Sequence, residues 1–154
     1  MFRRLLLASK LYYEKTFYEA FISDLKRARS RVIIESPFIT LRRFRSLETV
    51  IEIALRRGVR VAVNTRDPDS HPPLMREQAL SCVDILQKLG AEVLYTVNLH
   101  RKVAIIDDVL WEGSLNILSQ NDSCEMMRRT VSADVVKQII RFTKLSQWYN
   151  QGKL

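Results

Sequence analysis

The sequence predicts an α/β protein in which a mixed β-sheet is flanked by helices on both faces. Two units run from an amphipathic helix through a glycine into an apolar strand, LRRGVRVAV around Gly58 and LQKLGAEVLYTV around Gly90. Strands that alternate with helices in this way are typical of sheets covered by helices. The 154 residues are enough to bury a sizeable core, and no linker or repeat divides them. We therefore expect one domain over residues 1–154.

The first part of the chain alternates predicted helices with one strand. A helix is predicted from about Tyr12 to Arg29, because apolar residues recur on one stripe there. A β-branched strand, Val32–Glu35, follows and is broken by a proline. A second helix is indicated by i, i+3, i+4, i+7, i+8 spacing from Leu47 to Leu55, and Gly58 is placed to end it.

The rest of the chain continues the alternation. Residues 59–64 are predicted to form a strand, and RDPDSHPP at 66–73 is the clearest loop. Beyond that loop we predict a helix over 74–89, a strand over 92–97, a strand over 125–131 and a helix from Ser132 to Trp148. Ser132 is a suitable N-cap for the last helix.

A net charge of +8 favours a polyanionic partner. Of the 25 basic residues 17 are arginine, which binds phosphate with a bidentate fork. Arg42, Arg43 and Arg45 follow a predicted strand end, and we identify them as candidate nucleic-acid contacts. The alternative is a basic, solvated surface without a partner.

Other features bear on the compartment and on metals. No run of about 18 apolar residues is present, and the apolar part of MFRRLLLASK is too short for a signal peptide. Cys82 and Cys124 form no C-x-x-C pair, which favours reduced, packed thiols in a cytoplasmic protein. No cluster with zinc-ligand spacing is visible.

One stretch, HRKVAIIDDVLWEGSLNILSQNDSCE, carries the residues with the clearest chemistry. His100 and Lys102 lie two apart, so on an extended strand both side chains leave by the same face. Residues 103–106 are all apolar, as in a strand covered on both faces, and a turn follows. Asp107 is five residues from Lys102 and falls on the other face, which predicts a structural role in the turn.

A second strand is predicted from Val109 to Trp111, followed by Gly113, Ser114 and Asn116. A histidine can act as nucleophile or proton carrier near neutral pH, and a lysine supplies positive charge. Serine and asparagine donate hydrogen bonds to non-bridging oxygens, and glycine permits close approach of a ligand. Together they predict a site for an oxyanion reaction. A lone H-x-K would instead indicate an ordinary hairpin with a solvated polar face.

These residues resemble the HKD signature of the phospholipase D superfamily, in its single-motif, nuclease-like branch. Five residues separate Asp107 from Gly113, where the family more often has six, so the turn is one residue shorter. The resemblance implies a phospholipase D/nuclease-like fold and a role for Glu125 in orienting the catalytic histidine. VIIESPFIT and RGVRVAVNTRDP also resemble compact HKD domains found beside bacterial helicase modules, which implies a helicase partner or a fused domain.

Cleavage through a covalent phosphohistidine needs two histidines, one to attack phosphorus and one to protonate the leaving oxygen. The chain has one H-x-K, and its other histidine, His71, lies in the Pro-rich loop. A twofold homodimer would bring two copies of His100 to one site, and single-copy members of the resembling family are built that way. Lys102 and Asn116 of both chains would hold the non-bridging oxygens, without metal or other cofactor.

The sequence therefore predicts a metal-independent phosphodiesterase that cleaves nucleic acid, DNA rather than RNA, as a homodimeric endonuclease. One alternative is a nucleic-acid-binding module of a larger helicase or nuclease assembly, with weak catalysis or none. Another is a phospholipid hydrolase, although no amphipathic membrane helix is visible.

Overall fold

A seven-stranded mixed sheet in the order β1-β7-β6-β5-β2-β3-β4 runs through the computed structural model, which describes residues 9–120 and 122–145. The strands are β1 (Ser9–Tyr13), β2 (Arg31–Glu35), β3 (Arg60–Thr65), β4 (Glu92–Tyr95), β5 (Val103–Ile106), β6 (Val109–Gly113) and β7 (Met126–Val131). The helices are α1 (Phe17–Arg27), α2 (Leu41–Arg56), α3 (Pro73–Leu89) and α4 (Ala133–Phe142), with a 3-10 turn at Pro68–Ser70. No helix in the described ranges is long and apolar enough to cross a membrane.

The strand directions bring distant parts of the chain to one edge of the sheet. Strands β2, β3 and β4 are parallel neighbours, whereas β5, β6, β7 and β1 pair antiparallel. Glu35 at the end of β2 lies opposite Val103 at the start of β5, and Gly113 at the end of β6 lies opposite Met127 near the start of β7. We call this edge the upper edge. The segments 36–40, 96–102, 114–120 and 122–125 all lie at this edge.

Side-chain alternation divides the core into two layers. Val32 and Ile34 point to the face covered by α1, α2 and α3, where the larger apolar cluster lies. Ile33 points to the other face, where Val136 and Ile140 of α4 cover a smaller cluster. Helices therefore flank both faces of the sheet, as the sequence predicted.

Two helix ends have the glycine chemistry that the sequence predicted. Gly58 and Gly90 have φ angles of 87° and 96°, a left-handed conformation that lets the chain turn from a helix into the next strand. At the N-terminus of α4, Ser132 Oγ accepts a hydrogen bond from the Val135 amide at 3.2 Å and so caps the helix.

Several predicted boundaries were wrong. The segment Ser9–Tyr13 is a strand paired with β7 and not the start of the first helix, which begins at Phe17. The second helix begins at Leu41, six residues earlier than its apolar spacing indicated, because Leu41 and Phe44 extend its packed stripe. Strand β4 ends at Tyr95, and Trp148, at the predicted end of the last helix, lies outside the described residues.

The two cysteines differ in their surroundings. Cys82 is buried in the three-helix layer, and burial raises the pKa of its thiol to about 11. Cys124 is a free, exposed thiol, so the expectation that both would be packed was wrong for Cys124. It lies in the exposed segment that precedes β7, where the chain has little apolar cover.

One buried ion pair fixes α1 to the sheet. Asp24 on α1, only 4% exposed, accepts two hydrogen bonds of 2.8 Å from Arg129 on β7. The indole N–H of Trp111 donates to the same carboxylate at 2.9 Å. Burial alone would raise the pKa of Asp24, but the hydrogen bonds from Arg129 and Arg27 outweigh it and the pKa is lowered. The carboxylate therefore stays charged inside the protein.

Candidate active site

The candidate catalytic residues from the HKD stretch meet at the upper edge of the sheet. His100 and Lys102 immediately precede β5, Ser114 and Asn116 follow β6, and Glu125 precedes β7. The sequence placed His100 and Lys102 on a strand. That prediction was wrong in detail, because β5 begins at Val103 and the two residues lie in the chain leading into it.

Lys102 and His100 touch each other. The Lys102 ammonium lies 3.2 Å from Nδ1 and 3.4 Å from Nε2 of His100, and it donates to the His100 carbonyl oxygen at 2.6 Å. The imidazole itself is exposed. Burial lowers the pKa of Lys102, the negative charge of Glu125 opposes that shift, and the positive charge of Arg66 adds to it. Glu125 and Arg66 thus both act on the ammonium.

Gly113 and Ser114 hold the ends of β6 and β7 together. A Cβ at position 113 would overlap the carbonyl oxygen of Met126, so only glycine lets the strands approach this closely. Gly113 therefore allows close approach of β6 to β7, whereas the sequence predicted that it would allow close approach of a ligand. The Ser114 amide donates to the Met126 carbonyl oxygen, and Ser114 Oγ accepts from the Met126 amide, both at 3.0 Å.

Asn116 and Glu125 are less constrained than Ser114. The Oδ1 atom of Asn116 is buried and has no hydrogen-bond partner in the described part of the chain. The backbone amide of Glu125 donates to Oε2 of Glu14 at 3.0 Å. Within residues 9–120 and 122–145, no hydrogen bond joins the Glu125 carboxylate to His100.

Asp107 lies at the opposite end of β5, far along the strand from Lys102. Its carboxylate accepts hydrogen bonds of 2.9, 2.8 and 3.1 Å from the amides of Arg29, Ser30 and Arg31. Its own φ is 51°, in the left-handed region that a tight turn requires. Asp107 thus ties the β5–β6 turn to the start of β2 and is remote from the upper edge.

Arg42, Arg43 and Arg45 lie on the first turns of α2, and not in a loop after a strand. Helix α2 follows β2, so its N-terminus lies at the upper edge. Arg42 is exposed, and Arg45 pairs with Glu48 at 2.7 Å. Arg43 stacks 3.7 Å from the ring centroid of Tyr18 and borders a polar cleft of about 300 Å³.

Sequence reasoning missed a buried polar cluster beneath the H-x-K segment. The Glu35 carboxylate is fully buried and receives two hydrogen bonds of 2.9 Å from Arg101, the residue between His100 and Lys102. Asn64 donates to it at 2.7 Å. One signal was available, since Glu35 is an acidic residue at the end of an otherwise apolar, predicted strand.

His71 also lies near this edge. Its ring is 5.3 Å from that of Phe38, and Arg66 lies 5.2 Å from the same phenyl ring while donating to the Leu99 carbonyl oxygen. Burial and the nearby charge of Arg66 lower the pKa of His71. Its Nε2 is buried and has no partner among the described residues.

Imidazole, ammonium, hydroxyl and amide groups lie at one edge of a mixed α/β sheet. Phosphoryl transfer through a covalent intermediate uses groups of these kinds. Residues 21–145 match the family model described as "Cardiolipin synthase, PLD-like domain". The chain belongs to this PLD-like domain family. The superfamily predicted from the sequence is confirmed, and with it the phosphodiesterase class of enzyme. No curated protein matches the sequence.

Solved structures share the fold at low sequence identity. Nuc from Salmonella typhimurium, described as a phospholipase D family member, has a TM-score of 0.74 and 14% identity, covering 92% of this chain and 93% of Nuc. NucT from Helicobacter pylori has a TM-score of 0.69 and 21% identity, with 88% and 92% coverage. The archaeal chromatin protein TrmBL2, described as showing a novel mode of DNA binding, has a TM-score of 0.61 and 16% identity. This chain is 92% covered in that match and spans 52% of TrmBL2.

Proposed function

We propose that this protein is a metal-independent phosphodiesterase that cleaves nucleic acid, acting on DNA as an endonuclease. The observation that carries the proposal is the contact between His100 and Lys102 at a sheet edge shared with Ser114, Asn116 and Glu125. The exposed imidazole is available to a polymeric substrate. Arg42 and Arg43 at the N-terminus of α2 extend positive charge from the same edge.

The reaction takes two steps. A ring nitrogen of His100 attacks phosphorus, forming an N–P bond as the bond to the leaving oxygen breaks, and an acid protonates that oxygen. Water then attacks the phosphohistidine, loses its proton to the group that served as acid, and breaks the N–P bond. Lys102 and Asn116 hold the non-bridging oxygens, where the ammonium takes the place of a metal cation. Within the described ranges, no three or more His, Cys, Asp or Glu residues form a group that could hold a metal ion.

The acid in this scheme is His100 of a second copy of the chain. An in-line displacement needs the nucleophile and the acid on opposite sides of phosphorus. A twofold axis beside the upper edge would place the two histidines in that relation, with each chain contributing one set of ligands. His71 is the alternative acid within one chain. Its ring lies beside Phe38, which Arg66 also contacts, and Arg66 donates to the carbonyl oxygen of Leu99, the residue before His100.

The choice of DNA rests on charge and on one structural relative. The net charge of +8 and the arginines on α2 favour a polyanion, and TrmBL2 shares the fold and is described as binding DNA. The family description also names a phospholipid enzyme, cardiolipin synthase, which makes a phospholipid substrate the second candidate.

A cleavage assay with chelator separates these candidates. Wild-type protein is incubated with plasmid, single-stranded DNA, RNA and phospholipid vesicles, each with and without excess EDTA, and His100→Ala serves as the control. We expect DNA cleavage that survives EDTA and is absent in His100→Ala. Strict dependence on magnesium would contradict the phosphohistidine scheme. Cleavage of phospholipid and not of nucleic acid would show that phospholipid is the substrate. DNA binding without cleavage would indicate a binding module.

A further inference from the structure

The catalytic H-x-K segment lies beyond the last backbone pair of the sheet. The ladder between β2 and β5 ends at Glu35 and Val103, so residues 99–102 make no strand pairing. Chain outside a ladder is held by turn and side-chain contacts, and it moves where these are few. The Leu99 amide donates to the Thr96 carbonyl oxygen at 3.3 Å, and Arg66 donates to the Leu99 carbonyl oxygen at 2.7 Å. Lys102 donates to the His100 carbonyl oxygen within the segment itself.

The strongest contact is made by Arg101. Its Nε donates to Oε1 and its Nη2 to Oε2 of Glu35, both at 2.9 Å, in a planar bidentate pair. Asn64 Nδ2 donates to Oε2 at 2.7 Å, and Thr96 Oγ1 in turn donates to Asn64 Oδ1 at 2.9 Å. We call Glu35, Asn64, Thr96 and Arg101 the Glu35 clamp. It links the ends of β2, β3 and β4 to the chain that enters β5.

The clamp uses other contacts than the H-x-K side chains make with each other. The Arg101 guanidinium reaches Glu35, which shares a face of β2 with Ile33 in the layer beneath α4. The Lys102 ammonium instead contacts the His100 ring and its carbonyl oxygen. The clamp therefore acts on the backbone between His100 and Lys102 through Arg101 alone.

Burial makes this geometry obligatory. The side chain of Glu35 is 0% exposed, while that of Arg101 is 39% exposed. A buried carboxylate without a partner is strongly unfavourable, so Arg101 must stay where its guanidinium reaches Glu35. The hydrogen bonds that Arg101 donates to Glu35 raise the pKa of Arg101, which keeps the guanidinium charged. A lysine at this position could not supply two parallel donors.

We propose that Arg101 is a positioning residue for catalysis, held by Glu35, Asn64 and Thr96. By anchoring the backbone between His100 and Lys102, it sets the direction of the imidazole and the ammonium. Arg101 need not touch the substrate for this role. The kinetic part of the inference rests on the proposed phosphodiesterase function, whereas the effect on the order of the segment does not.

The test compares two matched variants. Arg101→Lys and Arg129→Lys each keep the charge but break a bidentate pair with a buried carboxylate, Glu35 in one case and Asp24 in the other. Since a displacement of about 1 Å at a reacting group costs about 100-fold in rate, kcat should fall about 100-fold in Arg101→Lys, with KM within about threefold of wild type. Arg129→Lys should keep kcat within about twofold. A similar loss of kcat in both variants, or none in Arg101→Lys, overturns the proposal.

A second readout does not depend on activity. Backbone order parameters of Arg101 and Lys102, measured by nitrogen-15 relaxation, should be about 0.85 in wild type and below about 0.6 in Arg101→Lys. They should be unchanged in Arg129→Lys. If wild-type protein cleaves nothing, the proposed function fails while these values still decide the positioning role. Unchanged order in Arg101→Lys overturns it.

The conservative variant could fail to fold. In that case the double variant Glu35→Met, Arg101→Met removes both charges together, and apolar replacements of buried pairs are commonly tolerated. It should fold and show the same loss of kcat and of local order. A folded double variant with wild-type turnover would rule out the clamp.

Discussion

The two candidate catalytic side chains of the H-x-K segment, those of His100 and Lys102, are in contact with each other. The Lys102 ammonium rests against both ring nitrogens of His100 and on its carbonyl oxygen. A phosphate offers charged oxygens, which are stronger acceptors than either of these groups. We therefore expect Lys102 to move its hydrogen bonds to the phosphate when substrate binds, which would free the imidazole for attack.

Replacement of His100 by alanine should abolish turnover and leave the fold intact. Loss of a covalent nucleophile costs at least about a thousandfold in rate, and the exposed imidazole contributes little to the core. Single-turnover cleavage and thermal unfolding of His100→Ala measure the two effects separately. Wild-type turnover in this variant would show that His100 is not the nucleophile.

The pH–rate profile should reveal the surroundings of Lys102. Because burial lowers the pKa of Lys102 below the ordinary lysine value of 10.5, its charge is lost at a lower pH than that of an ordinary lysine. The alkaline limb of the kcat profile should therefore fall below pH 10.5. It should shift upward in Lys102→Arg, since arginine stays protonated. An alkaline limb that is identical in the two proteins would assign it to another group.

Asp107 should influence stability and not catalysis. Its carboxylate accepts three backbone hydrogen bonds at the C-terminal end of β5, away from the upper edge. Asp107→Asn replaces a charged acceptor by a weaker neutral one. We expect a loss of about 1–3 kcal/mol in the free energy of unfolding, with kcat within about twofold of wild type. Denaturant titration and kinetics check the two parts, and a fully folded variant with low kcat would contradict the assignment.

At the scale of the element, the N-terminus of α2 is the candidate contact for nucleic acid. Each phosphate contact adds about one to the slope of log affinity against log salt. Arg42→Gln with Arg43→Gln should therefore weaken DNA binding and lower that slope by about 2. Arg56→Gln, at the other end of the same helix, is the matched control and should change neither. If the DNA affinity of the wild-type protein did not depend on salt concentration, the basic residues would not be contacting phosphates.

Local sequence signals located most elements but not their longer-range partners. Gly58 and Gly90 end their helices because a left-handed residue is needed there, and such chemistry is visible in a sequence. Strand β1 was missed because its partner β7 lies more than a hundred residues away. The spacing along two predicted strands indicated that the HKD side chains share a site, and the family resemblance added Glu125. The pairing of β6 with β5 and β7 brings Ser114 and Glu125 to the same edge as His100, and spacing alone does not specify that pairing.

The Glu35 clamp shows the same limit within the site. Glu35 and Arg101 are 66 residues apart, and their contact depends on β2 and β5 being neighbours in the sheet. The sequence predicted a mixed sheet without its strand order. A buried acid could be suspected at Glu35, whereas its partner could be any of 17 arginines.

At the scale of the whole molecule, the question is whether one chain builds a complete site. The upper edge presents one H-x-K pair, and the reaction needs a nucleophile and an acid on opposite sides of phosphorus. His71 is partly buried beside Phe38 and has a lowered pKa. It could act within one chain only if substrate reached it as well as His100. We therefore predict a homodimer with a mass twice the 18.0 kDa of the chain.

Subunit mixing gives the sharpest test of that prediction. When His100→Ala chains are exchanged at random with wild type, a mixed dimer holds one histidine at the shared site and lacks either the nucleophile or the acid. Activity should then fall with the square of the wild-type fraction, because only wild-type dimers retain both groups. His71→Ala, as the control, should leave kcat within about threefold, since it is outside the proposed chemistry. A linear fall with intact exchange, together with loss of turnover in His71→Ala, would instead place the acid at His71 within one chain.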